Sequence, residues 1–506
     1  MNNCEIVRDF MSQQGLKYLL VNSTNEYLVE YSPLQENSRY HLTGFSGSTG
    51  DVLVTPENIF LFVDGRYHIQ ADMEVNHNII TVIKLQTGEN FLDEMIKKIP
   101  FGETLGMFSK KNTQNRVEYI KEKGIHIKLL NEDPLDKNII QKAEIVYVEG
   151  ISPDEKVKDI EKTIILTNPE EVSYLFNIRD FSNNYSSKVC KKAVITKGKA
   201  QLTDNIEDFI KSCEGEIWVD KSSINAYDFN LIRDKVRILD NSPIKLMKST
   251  KTPNEIEHYK SAFERTDKAL KAIREYIESN ANLSEFDIAE QLEKEFKKFG
   301  AKSLSFKSIV AKDKNSALAH YSKCSKDEII KDGSLILIDC GAYYEQGLAT
   351  DITRVFVKGE PSELQKRVYT TVLKMFLNAY NYTPKDEIYI GYDIDELARK
   401  IYSSNEIEGF VFNHGLGHGI GINVHEYPPN LSKNELAKVE IKDGMCFTIE
   451  PGLYNENYFG VRLENSCYMM NGKIHSFVNM NYENKLIDYK LLSEQEKEWL
   501  KEFEVL

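Results

Sequence analysis

The stretch from His414 to Glu464 limits what this chain can fold into more than any other part of it. HGLGHGIGINVHE, His414 to Glu426, sets three histidines among glycines, and two glutamates follow in TIEPG (Glu450) and VRLEN (Glu464). Upstream, IDCGAYYEQGLATDITR places Asp339 and Asp351 on what reads as one hairpin around Gly347. Carboxylates inside apolar strands are costly to bury unless they are paired or bound to a cation. Two aspartates, two glutamates and histidines, each beside glycines or on a short apolar strand, form the donor set of a two-metal hydrolytic site. The chain must therefore fold so that strands well separated in sequence lie side by side.

Taken singly, each residue has a plainer reading. Asp339 and Asp351 read equally as strand-end aspartates capping turns, with Arg354 as an ion-pair partner for Asp351. By period-two alternation Glu450 shares a face with Cys446 and Thr448, and Glu464 with Arg462 and Ser466. Phe447, Ile449, Val461 and Leu463 make the opposite faces apolar, so each glutamate is expected to point away from its strand's apolar side, toward water. Clustering favours the metal reading. Four of the chain's ten histidines (His320, His414, His418, His425) fall in this one region.

Composition excludes several function classes. With 506 residues the chain exceeds a single ordinary core, and 41% apolar and 28% charged residues describe a soluble globular protein. A formal net charge of -14, spread along the chain, argues against a nucleic-acid or anionic-membrane partner. The seven cysteines are odd in number and form no CxxC pair, as expected of reduced thiols in a cytoplasmic protein. MNNCEIVRDFMSQQG lacks the apolar core of a secretory signal, and no apolar run approaches the roughly 18 residues of a membrane span.

Along the chain, Glu5 to Gln14 reads as a helix and Leu16 to Val21 as a strand. YHLTGF, DVLVT and NIFLFVDGRY read as further strands, so Leu42 to Tyr67 is expected to be sheet. KTIILTNPEEVSYLFNIRDF followed by KKAVITKGKAQL repeats, in order, the pattern of YLLVNSTNEYLVEY through LTGFSGSTGDVLVTPENIFL, which predicts two related α/β domains. Residues 138–156 form the handover between them. GFSGSTG lacks the strand-GxGxxG-helix context of a nucleotide site and reads as a sheet turn. Arg66 and Tyr67 either support that turn or reach a neighbouring subunit's active site.

Thr252-Pro253-Asn254-Glu255 is a capping box with proline at the first helical position, so a new helix starts at Pro253. Helices are also expected from Ser284 to Phe299, from Ser362 to about Asn381 and from Asp393 to about Tyr402. They alternate with the strands SLILIDCGAYY, ATDITRVFV, MCFTIEPGLY and VRLENSCYMM, giving one α+β domain.

With these motifs in place, the chain resembles the pita-bread metallopeptidases, a family that includes methionine aminopeptidase, aminopeptidase P and prolidase. IDCGA, TDITR, HGLGHGIG, TIEPG and VRLEN carry Asp339, Asp351, His418, Glu450 and Glu464, which look like the family's five metal ligands. Upstream, YHLTGFSGSTGDVLVT with LFVDGRYHIQAD, and EEVSYLFNIRD, resemble the first two domains of the long, three-domain aminopeptidase P. The fold class implied is α/β and α+β: creatinase-like domains over residues 1–140 and 141–248, then a pita-bread catalytic domain over residues 249–506.

The resemblance also implies roles. Asp339 chelates one metal, His418 and Glu450 bind the other, and Asp351 and Glu464 bridge them. The ions are manganese most often, with cobalt or zinc as alternatives, and together they activate a bridging hydroxide. Glu450 doubles as the proton carrier, His320 and His425 hold the substrate carbonyl and oxyanion, His414 lines the pocket after the scissile bond, and Arg462 orients the site. The activity implied is removal of the first residue from peptides with proline second, by a cytoplasmic homodimer. Prolidase is the nearest alternative, since it shares the catalytic motifs, and the two upstream domains argue against it. A catalytically dead binding module is the alternative of another class, but such a protein would have lost ligands. The spacing from Asp339 to Asp351 is one residue longer than is usual in the family, which the hairpin turn YYEQG can absorb.

Overall fold

The computed structural model describes residues 2–86, 88–137 and 143–503. They form two compact units, one comprising residues 1–183 and 188–244, the other residues 184–187 and 245–506.

The first unit contains two sheets built to one plan. In the first, Ile59–Val63, Asp51–Val54, Tyr18–Val21, Thr104–Phe108 and His126–Leu130 lie side by side in that order, with Ile80–Lys84 added beyond Ile59–Val63. In the second, the order is Lys199–Thr203, Lys192–Thr196, Ile164–Leu166, Ile217–Val219 and Val236–Ile238. In both, the first two pairings are antiparallel and the last two parallel. The repeat expected from the sequence is therefore a repeat of topology. The expected boundary at residues 140/141 lies outside the described residues.

YHLTGF departs from expectation. Ser38–Thr43 is a helical turn and not a strand, because the Asn37 side chain accepts from the Tyr40 N–H at its start and Gly44, at φ 78°, closes it in the left-handed region. The β-forming residues of that run were outweighed by the caps at either end. Just beyond, the glycine-rich turn is structural. Arg39 is fully buried, stacks on Phe45 and donates to the carbonyls of Gly47 and Thr49. Arg66 pairs with Asp64, which also accepts from Thr49.

The second unit is organised by its caps. The helix Pro253–Ser279 starts at the Thr252/Glu255 capping box, and Glu285–Lys298 starts at Ser284, which is boxed with Asp287. Glu363–Tyr380 starts at Ser362. Gly391–Ser404 begins two residues before the expected Asp393. Against these lies an antiparallel sheet in the order Ile309–Lys312, Leu335–Cys340, Ile352–Val357, Glu464–Met470, Cys446–Ile449, Gly417–Gly419 and Glu426–Leu431. Val368, Val372 and Phe376 of Glu363–Tyr380 share a buried core with Leu335, Leu337, Val355 and Val357. Along two neighbouring strands this apolar row then gives way to acid. Leu335 and Leu337 lead to Asp339, and Val357 and Val355 lead to Thr353 and Asp351. Among the described residues no helix is long and apolar enough to cross a membrane.

Candidate metal centre

Register brings the acids together. Asp339 lies opposite Thr353, and Thr353 opposite Glu464, so the three occupy one line across adjacent strands. Asp351 is two residues from Thr353 on the same face. Glu450 follows Cys446–Ile449, whose Ile449 is opposite Asn465. His418 comes from Gly417–Gly419, and a side chain at Gly417 would collide with the Thr448 carbonyl at 2.0 Å. Glycine there lets the histidine strand approach the glutamate strand.

Ligand atoms of Asp351, His418 and Glu464 lie within 4.8 Å of one another. His418 Nε2 is 3.7 Å from Asp351 Oδ2 and 3.4 Å from Glu450 Oε1. His418 Nδ1 is 3.0 Å from the Gly419 carbonyl, which can only accept, so Nδ1 carries the proton and Nε2 presents a lone pair to the carboxylates. Arg462 Nη2 donates to Asp339 Oδ2 at 2.5 Å, and Thr353 Oγ1 to Glu464 Oε2 at 2.7 Å. The other oxygens of these carboxylates, Asp339 Oδ1 and Glu464 Oε1, are buried without a hydrogen-bond partner among the described residues, as is Asp351 Oδ1.

Burial pushes the carboxyls of Asp351 and Glu464 well above the usual range, and their neighbours add to it: Glu464, Asp339 and Glu450 around Asp351, and Glu450 and Asp339 around Glu464. Burial also raises Asp339, against the lowering effect of Arg462. Four carboxylates thus gather around the guanidinium of Arg462. Unpaired buried oxygens beside a lone-pair nitrogen are an unfavourable arrangement for a protein alone and a fitting one for divalent cations.

Residues 257–471 match the family model described as Metallopeptidase family M24, and residues 4–135 match the Creatinase/Prolidase N-terminal domain. Residues 257–471 thus carry a Metallopeptidase family M24 domain. Xaa-Pro aminopeptidase 1 of Dictyostelium discoideum is 28% identical over 99% of this chain and 91% of its own length. An uncharacterized peptidase of Schizosaccharomyces pombe is 28% identical over 99% of this chain and 94% of its own. In fold the chain resembles the X-prolyl aminopeptidase of Caenorhabditis elegans, described as a cytosolic enzyme with a di-nuclear active site. The two superpose with a TM-score of 0.87 at 22% identity, covering 96% of this chain and 90% of that one.

Two expectations about the M24 centre need correction. Glu464 does not face water: it is only 1% exposed, because the face opposite its strand's apolar side is covered as well. Glu450 is half-buried. Arg354 does not pair with Asp351. It alternates to the other face, where its buried guanidinium donates to the carbonyls of Glu464 and Met480 and to Asn465 Oδ1.

His425, Arg462 and, through Tyr454, His414 connect to the cluster. The His425 ring lies edge-on to His418, with centroids 4.4 Å apart. Arg462 Nη1 donates to Tyr454 Oη, which in turn lies 2.9 Å from His414 Nε2, while His414 Nδ1 donates to the Gly415 carbonyl. His320 follows the short helix Asp313–Ala317, and Ser316 of that helix exchanges hydrogen bonds with Gly460, two residues before Arg462. Thr353 and Tyr454 were missed in the sequence. Thr353 was findable, since it is two positions from Asp351 on the same face; Tyr454 had no local signal.

Proposed function

We propose that this chain is a two-metal Xaa-Pro aminopeptidase that hydrolyses the first peptide bond of peptides with proline in second position. The observation that carries the reading is the cluster of Asp339, Asp351, His418, Glu450 and Glu464, in which three buried carboxylate oxygens have no hydrogen-bond partner among the described residues. The names of the relatives supply the substrate class.

In this reading Asp339 would hold one ion, His418 and Glu450 the other, and Asp351 and Glu464 would serve both. Divalent ions there would lower the pKa of the attacking water and polarise the scissile carbonyl. Manganese suits a donor set of carboxylates with one imidazole, with cobalt or zinc as alternatives. Glu450, the most exposed of the four acids, accepts the water's proton and passes it to the leaving nitrogen. His425 and His320 hydrogen-bond the substrate carbonyl and the oxyanion that develops from it. Arg462 fixes Asp339, and through Tyr454 it also fixes His414, which lines the pocket for the proline ring. Residues 1–140 and 141–248 act as separate N-terminal domains, and the working form is a cytosolic homodimer.

A cleavage assay with manganese on Arg-Pro-Pro, Arg-Pro and Arg-Ala-Ala tests the reading. Release of arginine from Arg-Pro-Pro but not from Arg-Ala-Ala is expected. Cleavage of Arg-Pro alone would make the chain a prolidase instead.

A further inference from the structure

Glu285 is fully buried at the start of the helix Glu285–Lys298, far in sequence from every proposed ligand. Its carboxylate makes four hydrogen bonds, all to one segment. Oε1 accepts from the Lys312 backbone N–H at 2.7 Å and from Asn315 Nδ2 at 2.8 Å. Oε2 accepts from Tyr321 Oη at 2.7 Å and from the Ser325 N–H at 3.1 Å. Two of these donors precede His320 and two follow it. The carboxylate therefore closes the loop on both sides of that histidine, using most of the lone pairs an ionised carboxylate offers.

Backbone contacts reinforce the clamp. Phe286 N–H donates to the Ser325 carbonyl, and Ile330 N–H to the Leu283 carbonyl, so the downstream limb of the loop is docked on the start of the same helix. Ser316, inside the clamped segment, reaches Gly460 on the strand of Arg462. We propose that Glu285 is a positioning residue whose task is to hold His320 in register with the metal cluster. This rests on the reading that His320 contacts the substrate carbonyl.

A donor that must meet a developing oxyanion loses most of its value when displaced by about 1 Å, so the clamp's contribution should appear in turnover more than in binding. Glutamine at position 285 keeps the shape but replaces one accepting oxygen with a donor facing donors. The test compares Glu285→Gln, His320→Ala and the double variant in the manganese-loaded full chain on Arg-Pro-Pro. Amide hydrogen exchange of residues 312–325 is followed in parallel.

Glu285→Gln is expected to lower kcat about 10- to 100-fold with KM within about threefold, and to add no further loss to His320→Ala. Exchange should rise in residues 312–325 and stay unchanged in Pro253–Ser279. Losses that multiply in the double variant, or an unchanged exchange pattern, would overturn the proposal. If Glu285→Gln fails to fold, Tyr321→Phe removes one of the four donors while keeping the ring. Its smaller loss must likewise vanish in the His320→Ala background. A wild-type chain that cleaves no Xaa-Pro peptide would sink the functional reading instead, and the exchange comparison would still decide whether Glu285 holds the loop.

Discussion

Neutralising Glu426 should cost the second unit about 3 kcal/mol, and removing its two lysine partners as well should restore most of that loss. Glu426, Lys248 and Lys251 are all buried, and Glu426 Oε2 lies 3.1 Å from Lys248 Nζ and 3.3 Å from Lys251 Nζ. Its Oε1 accepts from the N–H groups of Ile422 and Asn423 and so shapes the loop that carries His425. Burial alone would push this carboxyl up, but the two ammonium groups bring it down from 4.5 to about 2. That difference is worth about 3 kcal/mol, which agrees with the roughly 3–5 kcal/mol expected for breaking a buried pair.

The sign follows from the lowered value. The stabilisation is complete above the unfolded carboxyl's 4.5 and is lost as pH falls through about 2. Trp218 and Trp499 are the chain's two tryptophans, one in each unit, so Trp218→Phe leaves Trp499 to report urea unfolding of the second unit. In that background Glu426→Gln should lower stability by about 3 kcal/mol, and Glu426→Gln with Lys248→Met and Lys251→Met should recover it to within about 1 kcal/mol. A loss below about 1 kcal/mol, or a triple variant no better than the single, would refute the reasoning.

Other outcomes follow from the same geometry. Asp351→Asn or Glu464→Gln should reduce turnover on the order of a thousandfold and lower metal content, read by elemental analysis; near-normal turnover would contradict the bridging role. Burial pushes Asp267 up from 3.8 to about 6, although Asn479 N–H donates to it. The folded unit then binds the extra proton, so stability should fall by about 3 kcal/mol as pH rises from about 4 through about 6, and Asp267→Asn should flatten that slope in urea titrations. In the first unit, Arg39→Met strands the carbonyls of Gly47 and Thr49 and should cost about 2–3 kcal/mol, measured from Trp218 emission.

What the sequence disclosed and what it hid divide by range. Thr252, Ser284 and Ser362 announced their helices because a cap and the residue it bonds are three positions apart. Asp339, Asp351, His418, Glu450 and Glu464 stood out because acids and histidines among apolar strands and glycines have few inexpensive explanations. Ser38–Thr43 was hidden by its own residues, which favour strand until Asn37 and Gly44 are taken together. The burial of Glu464 was hidden for another reason: alternation assigns faces to a strand but does not say which face a neighbour covers. Tyr454 and Glu285 act across tens of residues or through other side chains, and only the assembled sheet and loops bring out their partners. The wrong partner for Asp351 came from preferring nearness in sequence to alternation, which already sent Arg354 to the other side.

The central claim is that the five side chains hold two divalent ions that the activity requires. The direct measurement strips the purified chain with a chelator and returns manganese stepwise, counting bound ions while following arginine release from Arg-Pro-Pro. The account predicts saturation at two ions per chain, with activity rising as they bind. A chain that binds no divalent ion stoichiometrically and regains no Xaa-Pro cleavage with manganese, cobalt or zinc would contradict it.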